Sequence, residues 1–346
     1  MIPAPRLLDG RRRALAAVLV VLALGEAALA VLFAAALNQV IAQPSAPMMP
    51  LLGAAGIAVL AGAALLLGRW VGEDFAQSFV ADCRTALFTA VTRQPNGSAA
   101  SADARWLTVL INDLAALRNY ALRGTVRLWT SVTATSAAAL WAGLTMPQLR
   151  PALIPIVVGA GLIALLIWPL TRAIGSQRVL RGRLNRFLVR RVRAELGSVP
   201  ATRGHGFRKL AALSGDLAQA SVRRAAHAGT MDAAATLAGL AAALMVVWQT
   251  VSGADAVRGA TGLAGSLMLL GFIAARLLES ARALHARIGG AIAMQRLTVL
   301  LKAAPDAPAR RARPRRSKHR PSARTGIRPV PLTQPQTHSQ PVPKES

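Results

Sequence analysis

The sequence has little of what metal sites, disulfides and nucleic-acid binding require. Its 346 residues include one cysteine, Cys83, and five histidines that are scattered singly. One cysteine excludes an internal disulfide, and no CxxC or HExxH spacing argues for a metal site. Aromatic residues make up 4% of the chain, so they are not interleaved with the basic residues to stack bases. We therefore expect no metal in this chain and no nucleic-acid partner.

Acidic residues are also scarce, with 14 Asp and Glu against 41 Lys and Arg. Hydrophobic residues make up 53% of the chain and the mean hydropathy is +0.42. A soluble domain spreads its apolar residues among polar ones, so this composition indicates a membrane protein. The net charge of +27 lies beside the apolar stretches, as expected for cytoplasmic loops, which are selectively basic.

Six apolar stretches are candidate membrane spans. They cover residues 14–37, 51–67, 128–144, 152–170, 233–251 and 263–278. Helices of this length approach or exceed the hydrocarbon thickness of about 30 Å at 1.5 Å per residue. A cleaved signal peptide is a competing interpretation of the first stretch, but the apolar run continues past Ala30 and carries Glu26.

The connections between these stretches alternate in length and charge. The outer ones are short and carry few charges, whereas Arg69 to Arg127 and Arg172 to Thr230 each span roughly sixty residues rich in Arg. The positive-inside bias places the two long connections and both termini in the cytosol. We expect a multi-pass protein of the bacterial inner membrane.

The two long connections have helical periodicity. In the first, apolar residues recur at Phe75, Phe79, Cys83, Leu87 and Val91 and return at Leu107, Leu110, Leu114 and Leu117; the second has Leu184, Leu188, Val192 and Leu196, then Leu210, Leu213 and Leu217. Sixty structureless residues between packed helices would be unusual. The pattern predicts two long antiparallel helical hairpins, with turns at 95–104 and 202–207, where helix-breaking residues cluster. A continuous helix from Pro50 to Arg93 would measure about 65 Å.

The predicted fold is therefore an all-α membrane protein with six transmembrane helices and two long cytoplasmic helical hairpins. We divide it into a cytoplasmic segment at residues 1–13, a six-helix domain at 14–301 and a tail at 302–346. The tail is rich in Pro, Arg, Ser and Thr and holds too few apolar residues to fold. Its basic cluster could attract anionic lipid headgroups at about 1 kcal/mol per charge, or serve only as a solvated topogenic segment.

Charged residues within the apolar stretches are candidate pathway residues. Glu26 lies near the middle of the first stretch, where a lone charge normally faces an aqueous cavity or a partner. Arg276, Glu279 and Arg282 recur at three-residue spacing, so they share one helix face near the inner end of the sixth stretch. We expect Glu26, Arg276 and Glu279 to line a substrate path. The alternative is that Arg276 to Arg282 already lie at the cytosolic interface and that Glu26 only pairs with a neighbouring helix.

Three local stretches resemble the transmembrane domain of ABC exporters, and the resemblance covers residues 14–301. Residues 107–117, LTVLINDLAAL, carry Asn112 and Asp113 where the family has an Asn-Asp pair after its first coupling helix. Residues 195–206, ELGSVPATRGHG, are similar to the stretch that leads to the second coupling helix. Residues 291–301, AIAMQRLTVLL, resemble the helix end before the nucleotide-binding domain, with Arg296 at the usual arginine.

This resemblance implies the transmembrane (permease) subunit of an ATP-driven exporter. It further implies a second transmembrane subunit, identical or related, and coupling turns that dock on an ATP-binding cassette subunit. The coupling residues would be Pro95, Asn96, Gly97, Arg203, His205, Gly206, Phe207 and Arg208. Val109 stands where the family usually has an arginine, and Phe207, Arg208 and Lys209 stand where it usually has an acidic residue.

The ATPase itself is not predicted in this chain. A phosphate-binding loop needs glycines, a Lys and a Ser or Thr, and no Gly-Lys dipeptide occurs in the sequence. We therefore expect that the chain is not an enzyme, that it holds no cofactor of its own, and that ATP and magnesium bind to the partner ATPase. Membrane lipids are the other expected partner.

Other functions stay open on the sequence alone. A degenerate relative could act as a channel, assembly factor or regulator without ATP-driven transport. An ion-coupled secondary transporter using Glu26 fits less well, because such folds lack long paired cytosolic hairpins. Lipids, peptides and hydrophobic small molecules are all possible substrates.

Overall fold

The computed structural model describes residues 4–42, 48–92, 114–195, 203–252 and 256–303. These residues are almost entirely helical and contain no β-strand, which confirms the predicted all-α class for this part of the chain. All of them belong to one compact unit. The predicted turn at 95–104 and residues 304–346, which hold nearly all of the predicted tail, lie outside the described residues.

The helices are long. They are α1 (Arg11–Ala42), α2 (Met48–Thr92), α3 (Leu114–Asn119), a π-helix (Tyr120–Val126), α4 (Arg127–Thr145), a 3-10 turn (Pro147–Leu149), α5 (Arg150–Glu195), α6 (Arg203–Ser252) and α7 (Ala256–Ala303). The 45 residues of α2 extend about 68 Å, close to the length predicted for Pro50 to Arg93 and more than twice a bilayer core of about 30 Å.

Five of the described helices, α1, α2, α5, α6 and α7, are long and apolar enough to cross a membrane. The third predicted span, residues 128–144, lies within α4. This helix has 19 residues and is rich in Ser and Thr, which lower its hydropathy, and it is not among the five. The structure thus describes a helical protein that can pass a membrane several times, while the count of six spans stays a prediction.

The last helix, α7, is the centre of the bundle, because it packs against each of the other six α-helices and against the π-helix. Its crossing with the π-helix is especially close. A Cβ added at Gly124 would lie 2.7 Å from the Cα of Arg287, and one added at Gly290 would overlap Tyr120. Glycine at both positions therefore permits this close approach.

Two apolar clusters hold the helices together. The first joins α1, α4, α5, α6 and α7 through buried side chains such as Ile156, Met231 and Ile273. The second joins α2 and α3 to the last turns of α7; its largest buried side chains are Phe75, Phe79, Leu87, Leu117 and Leu297. The predicted apolar face of α2 is thus a buried face.

The apolar series that begins at Leu184, in the second long connection, is helical where the structure describes it but poorly buried. Leu188 is exposed and Leu184 is half-buried, because α5 packs mainly against one neighbour, α6, which covers only one side of it. The turn predicted at 202–207 is wrong for residues 203–207, since α6 begins at Arg203; the preceding residues 196–202 lie outside the described part of the chain. Gly204 and Gly206 lie in the first turns of α6, and glycine costs a helix only about 0.5–1 kcal/mol relative to alanine, too little to break a helix of 50 residues.

Candidate functional site

A cavity of about 310 Å³ lies between α1, α2, the π-helix, α4 and α7. Leucine and valine side chains form part of its wall, at Leu19, Leu22, Leu65, Leu122 and Val126. Its charged lining residues are Glu26, Arg69, Glu73, Arg123, Arg127 and Arg276. Four arginines against two glutamates give the cavity a positive balance, and an amphipathic character.

The deep side of the cavity is a chain of ion pairs between three helices. Arg276 of α7 donates hydrogen bonds to Glu26 of α1 and, at 2.6 Å, to Glu279 one turn further along α7. Arg127, the first residue of α4, donates to the other oxygen of Glu279. The side chains of Glu26 and Arg276 are 11% and 12% exposed. Each buried charge therefore has the opposite charge beside it, as burial requires.

The register of α1 and α7 explains why these residues meet. Near the opposite end of the contact between α1 and α7, the side chain of Asn38 accepts a hydrogen bond of 2.9 Å from the backbone N–H of Gly265. Glu26 precedes Asn38 on α1 and Arg276 follows Gly265 on α7, each by about 16–18 Å of helix. Antiparallel helices aligned at one end thus bring the two charges to the same level along the bundle.

The more exposed side of the cavity, which we call its shallow side, holds two arginines that are not part of this chain of ion pairs. Arg69 of α2 and Arg123 of the π-helix are exposed, and within the described ranges neither forms an ion pair or a side-chain hydrogen bond. Glu73 is engaged elsewhere, because it accepts hydrogen bonds from Arg118 at 2.6 Å and from Gln77 at 2.7 Å. The positive balance of the cavity therefore comes from Arg69 and Arg123.

The structure brings together the three residues that the sequence singled out for this region, Glu26, Arg276 and Glu279. It places Arg282 elsewhere, in a 3.2 Å ion pair with Asp232 of α6. Sequence reasoning missed Arg69, Arg123 and Arg127. The available signal was the four-residue spacing of Arg123 and Arg127 just before the third apolar stretch, which puts both on one helix face.

The predicted coupling residues are only partly described. Pro95, Asn96 and Gly97 lie outside the described residues, and Arg203, His205 and Gly206 occupy the first turns of α6, where the side chains are not described. The next two, Phe207 and Arg208, are exposed, and Phe207 is 68% exposed. A large aromatic side chain thus faces outward near the start of α6.

A basic groove lies beside this point, between α5 and α6, with a volume of about 400 Å³. It is lined by Arg183, Arg186, Phe187, Arg190, Arg191, Lys209 and Leu213, none of which is acidic. Lys209 lies 5.9 Å from the ring centre of Phe187. The groove begins more than a dozen residues after the predicted span 152–170, or about 20 Å along the helix.

Arg12, at the start of α1, is buried although its neighbours are exposed. It donates hydrogen bonds to Asp82 of α2 and to the carbonyl oxygens of Leu7 at 3.0 Å and Arg6 at 2.8 Å. From its sequence it is one of three arginines that flank the first span. The structure shows a second role for Arg12, because its hydrogen bond to Asp82 connects the start of α1 to α2.

The fold and the cavity define a helical protein with several helices able to cross a membrane and a charged cavity among them. Within the described ranges, no group of three or more His, Cys, Asp or Glu side chains could hold a metal ion. Comparison with protein-family models and with curated proteins returned no match. The functional assignment therefore depends on the geometry described above and on the local resemblances in the sequence.

Proposed function

We propose that this chain is the transmembrane subunit of an ATP-driven exporter, related to the ABC exporters, and that a separate ATPase chain drives it. In this proposal α4 is the third of six spans, both termini are cytoplasmic, and the membrane is the bacterial inner membrane. Two transmembrane subunits, identical or related, form the pathway. ATP and magnesium bind to the ATPase partner.

The length of the helices is the observation that carries the proposal. Helices α2, α5, α6 and α7 contain 45, 46, 50 and 48 residues, which corresponds to about 68–75 Å. A bilayer core of about 30 Å accommodates less than half of that length. The remainder extends well beyond one membrane face, where a soluble partner can reach it.

The packing of the extended part supports a mechanical role. Beyond the predicted span, α2 buries Phe75, Phe79 and Leu87 in the apolar cluster that also contains Leu117 of α3 and Leu297 near the end of α7. This arrangement resembles the core of a soluble protein and is stiff for the same reason. A displacement at the far end of α2 would therefore reach α7, which holds Arg276 at the cavity and its partner Glu279 behind it.

In the proposed cycle, the ATPase binds the ends of the extensions, at Pro95, Asn96 and Gly97 and at Arg203, His205, Gly206, Phe207 and Arg208. Nucleotide-driven closure of the ATPase moves the helices as rigid bodies. Glu26, Arg276 and Glu279 lie where α1 and α7 meet, so relative movement of these helices changes the access to the cavity.

Copurification with an ATP-binding protein tests this proposal. The full-length chain, solubilised from its native membrane in a mild detergent, should retain such a partner. Replacing Phe207 and Arg208 together with alanine should release the partner, whereas the control Arg84→Ala, an exposed arginine of α2 that is not among the proposed coupling residues, should not. Repeated purification without any ATP-binding protein would contradict the proposal.

Transport itself gives a second test. In vesicles that hold both subunits, Glu26→Gln should reduce ATP-dependent transport, because Arg276 loses one of its two carboxylate partners beside the cavity. Transport at the wild-type rate would contradict a role for Glu26 in the substrate pathway.

The second candidate is a degenerate relative that acts as a channel, assembly factor or regulator. A departure from the family pattern favours this second candidate. Where ABC exporters usually carry an acidic residue, this chain has Phe207, Arg208 and Lys209. An adjacent reading frame that encodes an ATPase would favour the exporter.

A further inference from the structure

We propose that the cavity binds the head of an anionic amphiphile, a molecule that carries a phosphate or carboxylate group on an aliphatic chain. The binding site consists of Arg69 and Arg123 together with the apolar wall beside them. As the assignment of a transported substrate this inference rests on the proposed function, whereas the binding itself needs no ATPase.

The charges that line the cavity would stabilise a bound anion on its shallow side. On the deep side, Glu26, Arg276, Glu279 and Arg127 pair with one another, so that side is balanced. On the shallow side, Glu73 is held by Arg118. Only Arg69 and Arg123 line the cavity without a carboxylate partner among the described residues, and guanidinium groups suit phosphate and carboxylate ligands.

The surroundings of these arginines suit an aliphatic chain. Leu65 and Leu122 line the cavity next to Arg69 and Arg123, on the same two helices. Only 6% of the apolar stretch of α2 is buried inside the protein, so most of this helix can contact lipid beside the cavity. A chain attached to the bound head can therefore remain in the bilayer.

Two glycines make room for the head. Gly68 and Gly72 line the cavity one turn apart on α2, and Cβ atoms there would lie 3.8 Å from Oε1 of Glu26 and 3.4 Å from Cδ1 of Leu122. Larger side chains would fill this space. The volume of about 310 Å³ equals about ten times the share of one water in the liquid, enough for a headgroup but not for a whole lipid.

The position of the two arginines fits the level of lipid headgroups. Arg69 follows the predicted span 51–67 and Arg123 precedes the predicted span 128–144, so the proposed topology places both at the inner membrane surface. The basic groove between α5 and α6 begins about 20 Å beyond that surface. This distance exceeds the Debye length of about 8 Å at physiological salt, so the groove cannot replace the cavity as a lipid site.

Binding of a labelled lipid to the purified full-length chain tests the inference. The probes are fluorescent phosphatidylglycerol and fluorescent phosphatidylcholine with the same acyl chains, presented to the protein in nanodiscs of unlabelled phosphatidylcholine. The anionic probe should bind more tightly than the zwitterionic one. Equal affinity for the two would overturn the inference.

Variants locate the site. Arg69→Gln and Arg123→Gln should each weaken binding of the anionic probe by about fivefold, the equivalent of about 1 kcal/mol per charge near a membrane surface. The double variant should weaken it more than either single variant does, by about 25-fold where the two losses add, and Arg69→Lys should retain most of the affinity. The matched control is Arg84→Gln, an exposed arginine of the same helix that does not line the cavity. An equal loss in this control would show unspecific surface attraction and overturn the inference.

Inorganic phosphate distinguishes the two sources of the anion. Millimolar phosphate at constant ionic strength should leave the lipid bound, because it lacks the aliphatic chain that the apolar wall contacts. Full displacement would show that the site takes a free anion, and the amphiphile would be excluded. These results are independent of copurification with an ATPase, so failure of the lipid site and failure of the exporter proposal are distinguishable.

Discussion

Glu26 and Arg276, 250 positions apart in the chain, form an ion pair between α1 and α7 at the side of the cavity. Both side chains are nearly buried. A buried pair of this kind contributes little compared with an apolar pair of the same size, but removing one partner leaves the other charge buried and uncompensated. The pair therefore fixes the position of α1 on α7 at the level of the cavity.

Arg276→Gln should destabilise the protein by about 3–5 kcal/mol, because Glu26 loses its partner in a nearly buried position. The matched control is Arg282→Gln, two turns further along α7, whose side chain is 66% exposed beside Asp232. An exposed pair is worth less than about 1 kcal/mol. Chemical unfolding of the detergent-solubilised protein measures both. Similar losses in the two variants would show that the Glu26–Arg276 pair is not buried as described.

Arg12→Ala should lower the free energy of unfolding by about 1.5–3 kcal/mol, since the buried guanidinium donates hydrogen bonds to Asp82 and to backbone carbonyl groups. Arg13→Ala removes an exposed arginine with one long hydrogen bond of 3.4 Å to Leu8 and should change stability by less than about 0.5 kcal/mol. The same unfolding assay compares the two. If both arginines serve only as a charged flank of α1, the two variants will be equally stable.

Gly124→Ala should destabilise the bundle by about 1–3 kcal/mol through overpacking, because the added Cβ meets the backbone of Arg287. Gly271→Ala, on α7, meets nothing within 4 Å and should be neutral or slightly stabilising. The melting temperatures of the two variants provide the measurement. A Gly124→Ala protein as stable as the wild type would mean that the π-helix and α7 are further apart than described.

Cys83 should react slowly with maleimide in the folded protein. Its side chain is completely buried in the α2 extension, beyond the predicted span 51–67, and burial raises the pKa of the thiol to about 12. The reactive thiolate is therefore scarce at pH 7–8. In a Cys83→Ala background, Arg84→Cys places the thiol on the exposed side of the same turn and should react quickly. Fast labelling of native Cys83 would contradict the buried face of α2.

The sequence predicts much of the helical framework because apolar periodicity reports the buried face of a helix. Phe75, Phe79, Cys83 and Leu87 recur every four residues, and all of them are buried. The same reasoning fails for Leu188, which is exposed, because periodicity does not reveal how many neighbours a helix has. The π-helix at Tyr120–Val126 has no sequence pattern that separates it from an α-helix.

The candidate site is predictable only in part. Glu26 stands out because a charge inside an apolar stretch needs a compensating environment. Its partner Arg276 cannot be identified from the sequence, since the pairing depends on the register of α1 against α7. Arg12 shows the opposite difficulty: its position among three arginines indicates a solvated flank, and only the structure shows that it is buried.

Labelling of Phe207→Cys in the Cys83→Ala background tests most directly whether the extended helices reach into the cytosol. The control is Met49→Cys, 81% exposed near the start of α2 and on the outer side in the proposed topology. A membrane-impermeant maleimide should label Phe207→Cys in inside-out vesicles but not in intact cells, and Met49→Cys should show the reverse. Labelling of Phe207→Cys from outside intact cells would contradict the account.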